Sequence, residues 1–304
     1  MEKIFYIDVN FVNSRLDRWF KKNIFDVPQS LIEKNLRKGN IKVNKKKVKS
    51  SYKLKINDKI TLYNIKFDIK KNIKFKYKPT KDEILDSSKM IIVNNENFVV
   101  INKPFGISVQ SGTKSRKNIL DMLSKTKEFN NFKPYPVHRI DKETTGLLIV
   151  AKNRKYAQLF TSLFRIRKIH KTYLGIVLGS FSTQKGTLID DLFYYEGDKK
   201  VKVKAITHYN VIDSNNNYSL VKLNPETGRK HQLRKQLLIH GHPILGDSKY
   251  RIIQNNLKKI RHNKLMLHAY KINFSISSTK HNYTIDPPLA FMNELKERYL
   301  KIYQ

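Results

Sequence analysis

Apolar residues fall at two different spacings along this chain, and the change of spacing divides it. Near the N-terminus, Leu16, Trp19 and Phe20 repeat at three and four, one face of a helix. The stretch "PQSLIEKNLRKG" predicts a second helix, with Pro28 near its start and Gly39 as its stop. "NIKVN" then alternates as a short strand, "NKKK" reads as a turn and "DKITLY" as another strand. Residues 13–63 therefore form one small α/β module. Residues 64–88 are Lys-rich and lack Gly, and they read as an edge strand and a linker. From 89 to 304 strand patterns dominate: "KMIIVNNENFVVINKP" as two strands about an Asn-rich turn, then "GLLIVAKN", "HKTYLGIVLG", "ITHYNVID", "YSLVKLNP" and "YKINFSIS". Helical spacing returns in "RKYAQLFTSLFRIRKIH" and in "RKHQLRKQLLIHG", which Gly241 stops. Helices and strands do not alternate in a βαβ rhythm. The expected fold class is α+β, with a mixed, largely antiparallel sheet flanked by helices.

Composition adds a partner to this picture. The 304 residues suffice for two domains, and 39% apolar content suffices for a core. No apolar run approaches the roughly 18 residues of a membrane helix, and the acid-bearing N-terminus does not read as a signal peptide. The chain has no Cys, which removes disulfides and thiolate metal sites and suits a reducing, cytoplasmic setting. Net charge is +36, from 61 basic and 25 acidic residues. Residues 1–88 carry 23 basic and 10 acidic residues and the remainder 38 and 15, so both parts would face a polyanion, most simply nucleic acid. Part of the excess follows from a Lys-, Asn- and Ile-rich composition of the low-GC kind. With 48 Lys against 13 Arg, arginine is expected to be retained preferentially where a planar, forked guanidinium is needed. Three of them fall in two motifs: Arg139 in "HRIDKETTG", and Arg229 and Arg234 in "TGRKHQLR".

The residues around these arginines resemble a known family. "PVHRIDKETTGLLIVAKN" is similar to the signature of the RluA-type pseudouridine synthases. In the same order follow "FVVINKPFGISV" upstream and "KTYLGIVLG", "LNPETGRKHQLRKQLLIHGHPILGDSKY" and "LMLHAYKINF" downstream. The likeness runs from about 95 to 275. Residues 13–63, with "SRLDRWF", "LIEKNLRKG", "IKVNKKKVK" and "NDKI", resemble the S4-type RNA-binding module. The combination is most similar to the branch acting on large-subunit ribosomal RNA.

The resemblance implies roles for individual residues. Asp141 matches the catalytic aspartate, Tyr173 the active-site tyrosine, Arg234 the arginine paired with the aspartate, and Arg139 the arginine that enters the RNA as the target base leaves the stack. The chemistry suits these types. Converting uridine to pseudouridine breaks an N-glycosidic bond and re-bonds the base through C5. A carboxylate serves as nucleophile or ribose-proton base, and a forked Arg234 beside it favours the charged form. Tyr173 closes the base pocket and shuttles the C5 proton; Arg139 fills the space of the flipped base. Arg37, Lys38, Lys42, Lys45, Lys46 and Lys47 gather at a helix end and a turn, a surface for RNA phosphates. Neither a metal nor an organic cofactor is required, and the expected enzyme is a monomer. His138 reads as a structural residue, and "HGH" at 240–242 lacks the nearby carboxylates of a metal site. Gln110, Lys235 and Gln236 depart from the family pattern and are expected to alter substrate contacts. Two rival readings are a non-enzymatic RNA-binding or ribosome-assembly factor and a synthase acting on transfer RNA.

Overall fold

The computed structural model describes residues 2–25, 27–63, 65, 77–111, 117–129, 132–196, 199–252 and 264–302. It divides into two compact units, Met1–Lys74 and Phe75–Gln304. Much of the expected 64–88 linker lies outside the described residues.

The first unit contains β1 (Glu2–Tyr6), α1 (Leu16–Asn23), α2 (Gln29–Lys38), β2 (Ile41–Val43) and β3 (Lys59–Tyr63). Pro28, with φ −53°, precedes α2, and Gly39, with φ 78°, accepts the left-handed conformation that ends it. Asn44 and Lys45 also have positive φ, at 50° and 64°. They make the tight turn of a hairpin closed by two hydrogen bonds between Val43 and Lys46. Leu16, Phe20, Ile32, Ile41, Leu54 and Ile60 are fully buried at the centre of this unit. β1, outside the expected 13–63 boundary, belongs to it because Glu2–Tyr6 pairs antiparallel with Lys59–Tyr63.

The second unit begins with α3 (Lys81–Lys89), β4 (Ile91–Asn94), β5 (Phe98–Lys103), α4 (Ile119–Leu123), β6 (Tyr135–Pro136), β7 (Thr145–Ala151) and α5 (Arg154–Arg165). It continues with β8 (His170–Leu178), β9 (Lys185–Glu196), β10 (Lys199–Ser214), β11 (Tyr218–Pro225) and α6 (Gln232–Ile239), then β12 (Leu267–Ile276), β13 (Thr279–Thr284) and α7 (Leu289–Glu297). α3 occupies sequence expected to be linker; Thr80 and Glu83 cap it reciprocally, which makes a helix of a stretch with weak periodicity. No helix among the described residues is long and apolar enough to cross a membrane.

Ten strands form one sheet in the order β4-β5-β7-β12-β8-β11-β10-β9, with β13 on β12 and β6 on β7. Its pairs are antiparallel except β7 with β12. All seven residues of β7 are buried, because both faces of the sheet are covered there. Leu148 and Val150 enter one apolar cluster; Leu147, Ile149 and Ala151 enter the other, with Phe160 of α5.

Pairing register brings distant residues into one neighbourhood. Ala269 of β12 pairs with Gly146 on one side and with Tyr173 on the other. Tyr173 also pairs with Leu223 of β11, shortly before the chain turns into α6. Gly146 has φ 103°, and a Cβ there would lie 2.3 Å from the Ala269 carbonyl oxygen. Gly146→Ala is expected to cost at least about 3 kcal/mol, combining positive-φ strain with a backbone clash. Urea unfolding of the purified variant against wild type measures it.

Candidate active site

The turn from Val137 to Thr144 is held from three sides. The Ile149 N–H donates to His138 Nε2 at 2.9 Å, and the His138 ring packs on Phe164 with centroids 4.7 Å apart. Burial, reinforced by nearby Lys171, pushes the His138 imidazole down to about 3, so it is a neutral acceptor that secures the turn to β7. The Thr144 N–H donates to the Asp141 carbonyl at 3.1 Å. Thr145 Oγ1 bonds Nδ1 of the fully buried His268 at 2.9 Å.

The third side is the "NKPFG" segment. Lys103 Nζ is buried and donates to the carbonyls of Pro104 (2.7 Å), Ile107 (3.0 Å) and Lys142 (3.1 Å). Three acceptors match the three N–H donors of an ammonium. Burial lowers Lys103 to about 7, while the Asp141 carboxylate acts in the opposite direction. In the sequence, "NKP" is only part of the family pattern and gives Lys103 no task. Its buried lysine straps the upstream strand to the turn that carries Asp141.

Arg234, on α6, is 3% exposed and sits among three carboxylates. The expected close partner was Asp141, and the geometry differs. Nε and Nη2 donate to the two oxygens of Asp247, each at 2.7 Å. Nη2 also lies 3.0 Å from Glu143, and Nη1 reaches Asp141 at 3.4 Å. The forked edge goes to Asp247 because that carboxylate is already held by the N–H groups of Lys249 (2.9 Å) and Tyr250 (2.8 Å). Burial acts to raise the Asp247 carboxyl, but these donors together hold it below its ordinary 3.8. Asp247 went unnoticed in the sequence; the "GD" that ends "GHPILGD" was its only signal.

His231 stands at the entry of α6 with φ 54°, a left-handed conformation that a non-glycine residue adopts at a cost. Its Nδ1 bonds the Tyr250 hydroxyl at 3.0 Å, and Nε2 lies 3.8 Å from Asp141. Burial lowers its pKa. Gln236, expected as a changed substrate contact, instead points into the core. Fully buried, it accepts from Thr207 Oγ1 at 2.6 Å and donates to the Leu188 carbonyl and the Asp190 carboxylate. In "HGH", His240 faces Asp190 at 3.2 Å and His242 stacks on Phe181 at 3.9 Å.

Asp141, Tyr173, Arg234 and the exposed Arg139 line one cleft of about 220 Å³, together with Lys171 and the Thr227–Leu233 segment. Burial raises the Tyr173 phenol above its usual range and Asp141 raises it further, so it is a neutral hydroxyl at working pH. The six basic residues expected to touch RNA lie together in the other unit. Lys42 and Lys47 converge beside Gly39, where a Cβ would lie 2.8 Å from Lys47 Cε and 3.6 Å from Lys42 Cε. Arg37 and Lys38 end α2 next to them, and Lys45 and Lys46 are exposed at the hairpin turn.

Residues 97–238 match the family model described as RNA pseudouridylate synthase. A Buchnera aphidicola (subsp. Schizaphis graminum) protein named ribosomal large subunit pseudouridine synthase C is 32% identical over 297 residues, spanning 94% of this chain and 93% of that one. The Vibrio vulnificus protein of the same name is 30% identical, across 93% and 92%. Among solved structures, human RNA pseudouridylate synthase domain containing 4 superposes with a TM-score of 0.63 at 27% identity, covering 73% of this chain and 99% of that one. A cleft built around one carboxylate, one phenol and a buried arginine thus sits in a chain similar along nearly its whole length to enzymes that isomerise uridine, and this protein belongs to the RNA pseudouridylate synthase family.

Proposed function

We propose that this enzyme converts uridine to pseudouridine in large-subunit ribosomal RNA, with Asp141 as the reacting carboxylate. The observation that carries the assignment is the cleft itself: among its lining residues Asp141 is the single acid, set among Arg139, Lys171, Arg229, Lys230 and Arg234. A phosphate-rich strand is drawn to such a cleft, while one carboxylate is kept for chemistry.

The target uridine leaves its stack at a cost of a few kcal/mol. Arg139, exposed at the cleft rim, occupies the space left behind. Two routes start from the same carboxylate: Asp141 adds to C1′ as N1–C1′ breaks, or it removes a ribose proton. The base turns and C5 bonds to C1′ as the Asp141–C1′ bond breaks on the first route or as the ribose proton is returned on the second. The C5 hydrogen then passes to water and N1 takes up a proton. Tyr173 packs against the base and offers a neutral hydroxyl as hydrogen-bond partner. Burial and the neighbouring Asp141 raise its pKa, so it stays a neutral hydroxyl rather than a phenolate base. Arg234 stabilises the charged carboxylate through Nη1, and Asp247 positions Arg234.

The N-terminal unit, with β1 added to the expected 13–63, acts as an S4-type module. It docks RNA through Arg37, Lys38, Lys42, Lys45, Lys46 and Lys47, while the second unit carries the reaction. The relatives' names point to the ribosomal large subunit as substrate. The enzyme works as a cytoplasmic monomer.

Incubation with C5-tritiated large-subunit RNA tests the reading. Wild type is expected to release tritium and Asp141→Asn none above background; release by Asp141→Asn at the wild-type rate would remove the carboxylate from the mechanism. Asp247→Ala is expected to lower kcat and to cost about 3 kcal/mol, because it leaves a buried guanidinium without its bidentate partner. The pH dependence has a definite sign. A carboxyl lowered in the folded state contributes stability above its unfolded value and loses it as pH falls through the folded one. The stability gap between wild type and Asp247→Ala is therefore constant above about pH 5 and shrinks as pH falls through the ordinary 3.8 towards the lowered folded value, a trend that melting curves at successive pH values would trace.

A further inference from the structure

The cations that line the cleft are not equivalent. Arg234 is committed to Asp247, and Arg229 Nε donates to the Lys204 carbonyl at 3.2 Å. The Lys171 ammonium makes no hydrogen bond and no ion pair among the described residues; its neighbour is the Phe164 ring, 5.8 Å from Nζ. Burial holds it below the usual lysine range, and no carboxylate offsets that.

Its placement is rigid. Lys171 pairs with Ile272 of β12, and its carbonyl accepts from Asn224 Nδ2 at 3.4 Å. It lies two residues before Tyr173 on β8, so both side chains point to the cleft face, about 6.6 Å apart along the strand. Nζ comes within 4.0 Å of the point where a Cβ on Gly228 would lie, so it sits against the turn that forms one wall of the cleft. A half-buried cation without an anion is costly to keep. The cost is recovered where a ligand brings the anion, and RNA brings one phosphate per nucleotide.

We infer that Lys171 is a phosphate-binding residue of the cleft, gripping a backbone phosphate that flanks the flipped uridine; this rests on the reading that the cleft receives that uridine. Tyr173 then meets the base while Lys171, one strand step earlier, meets the backbone. A contact to a neutral uracil carbonyl is the competing role, and salt dependence separates the two. Each phosphate contact on single-stranded RNA contributes about 0.7 to the slope of log affinity against log salt.

Wild type, Lys171→Gln and Lys171→Arg would be assayed for tritium release from C5-tritiated large-subunit RNA over a series of KCl concentrations. Lys171→Gln is expected to raise KM about tenfold with a smaller change in kcat, the loss of one charge-assisted contact. It should also flatten the salt dependence of kcat/KM by about 0.7, and Lys171→Arg should restore the slope. A Lys171→Gln slope equal to wild type overturns the assignment, whatever its activity. Should that variant fold poorly, wild type on RNA with neutral methylphosphonate linkages flanking the target uridine gives the same reading: a flattened slope supports the contact and an unchanged one overturns it. Absence of tritium release by wild type from unmodified RNA defeats the isomerase reading instead, and the slopes are then taken from RNA binding by the same proteins.

Discussion

The guanidinium of Arg234 is the interaction on which the site depends. A buried cation is tolerated only when its hydrogen-bonding groups are met and its charge is balanced. Here α6 supplies the arginine and the balance comes from two other segments: the loop after α6 supplies Asp247, and the turn before β7 supplies Asp141 and Glu143. One side chain therefore ties three pieces of chain into a fixed arrangement. The tight bidentate edge belongs to Asp247, whose own oxygens are held by backbone N–H groups. The looser Nη1 is what reaches Asp141, at 3.4 Å. That division has a chemical logic. A reacting carboxylate locked in a bidentate pair has both oxygens spent; one touched from a single side keeps an oxygen for the substrate.

The sheet explains why these segments meet. β7 and β12 run parallel, and β8 lies on the far side of β12, so Ala269 stands between Gly146 and Tyr173. The glycine allows the carbonyl of Ala269 to approach β7 just after the turn that carries Asp141. Lys103 secures the same turn from upstream through three carbonyls. α6 is fastened independently, by Gln232 and Gln236 to the backbone of β9 and β10. Gln236, which departs from the family pattern, thus serves packing and polar satisfaction in the core.

Much of this was legible in the chain. α2 was bounded by Pro28 and Gly39 because each has a fixed conformational meaning. The strands from Phe98 to Ile276 were mostly readable because their residues are branched, aromatic and flanked by turn formers. β9 escaped because "GTLIDDLFYYEG" interrupts its apolar alternation with acids, one of which, Asp190, bonds Gln236. β1 escaped because it is an exposed edge with a single partner. α3 is made by its capping box rather than by periodicity. At the site, the family motifs marked Asp141, Tyr173, Arg139 and Arg234. No motif could say which of three acids takes the arginine's fork, because that depends on backbone donors in a loop distant in sequence. Lys171 was hidden for a similar reason: a lysine in a strand motif shows its missing counter-ion only in three dimensions.

The positive charge of this chain then divides by rigidity. Lys45, Lys46 and Lys47 are exposed on a hairpin turn, where a flexible ammonium acts mainly through its field. That field fades over about 8 Å at physiological salt, so in the proposed RNA docking such residues would favour encounter and weak, adaptable contacts. Lys171 has its backbone fixed in the middle of a sheet and its stem beside Phe164, so little side-chain freedom remains to be lost on binding. A mobile cation can accept a phosphate wherever it arrives; a fixed one dictates where the phosphate must sit. On the proposed mechanism, an isomerase that detaches a base, turns it and re-bonds it to the same sugar needs the second kind, since the ribose would have to stay in place at Asp141 while the base moves. The proposed grip on the backbone, made from the strand that also carries Tyr173, would meet that requirement with the geometry of a single β-strand.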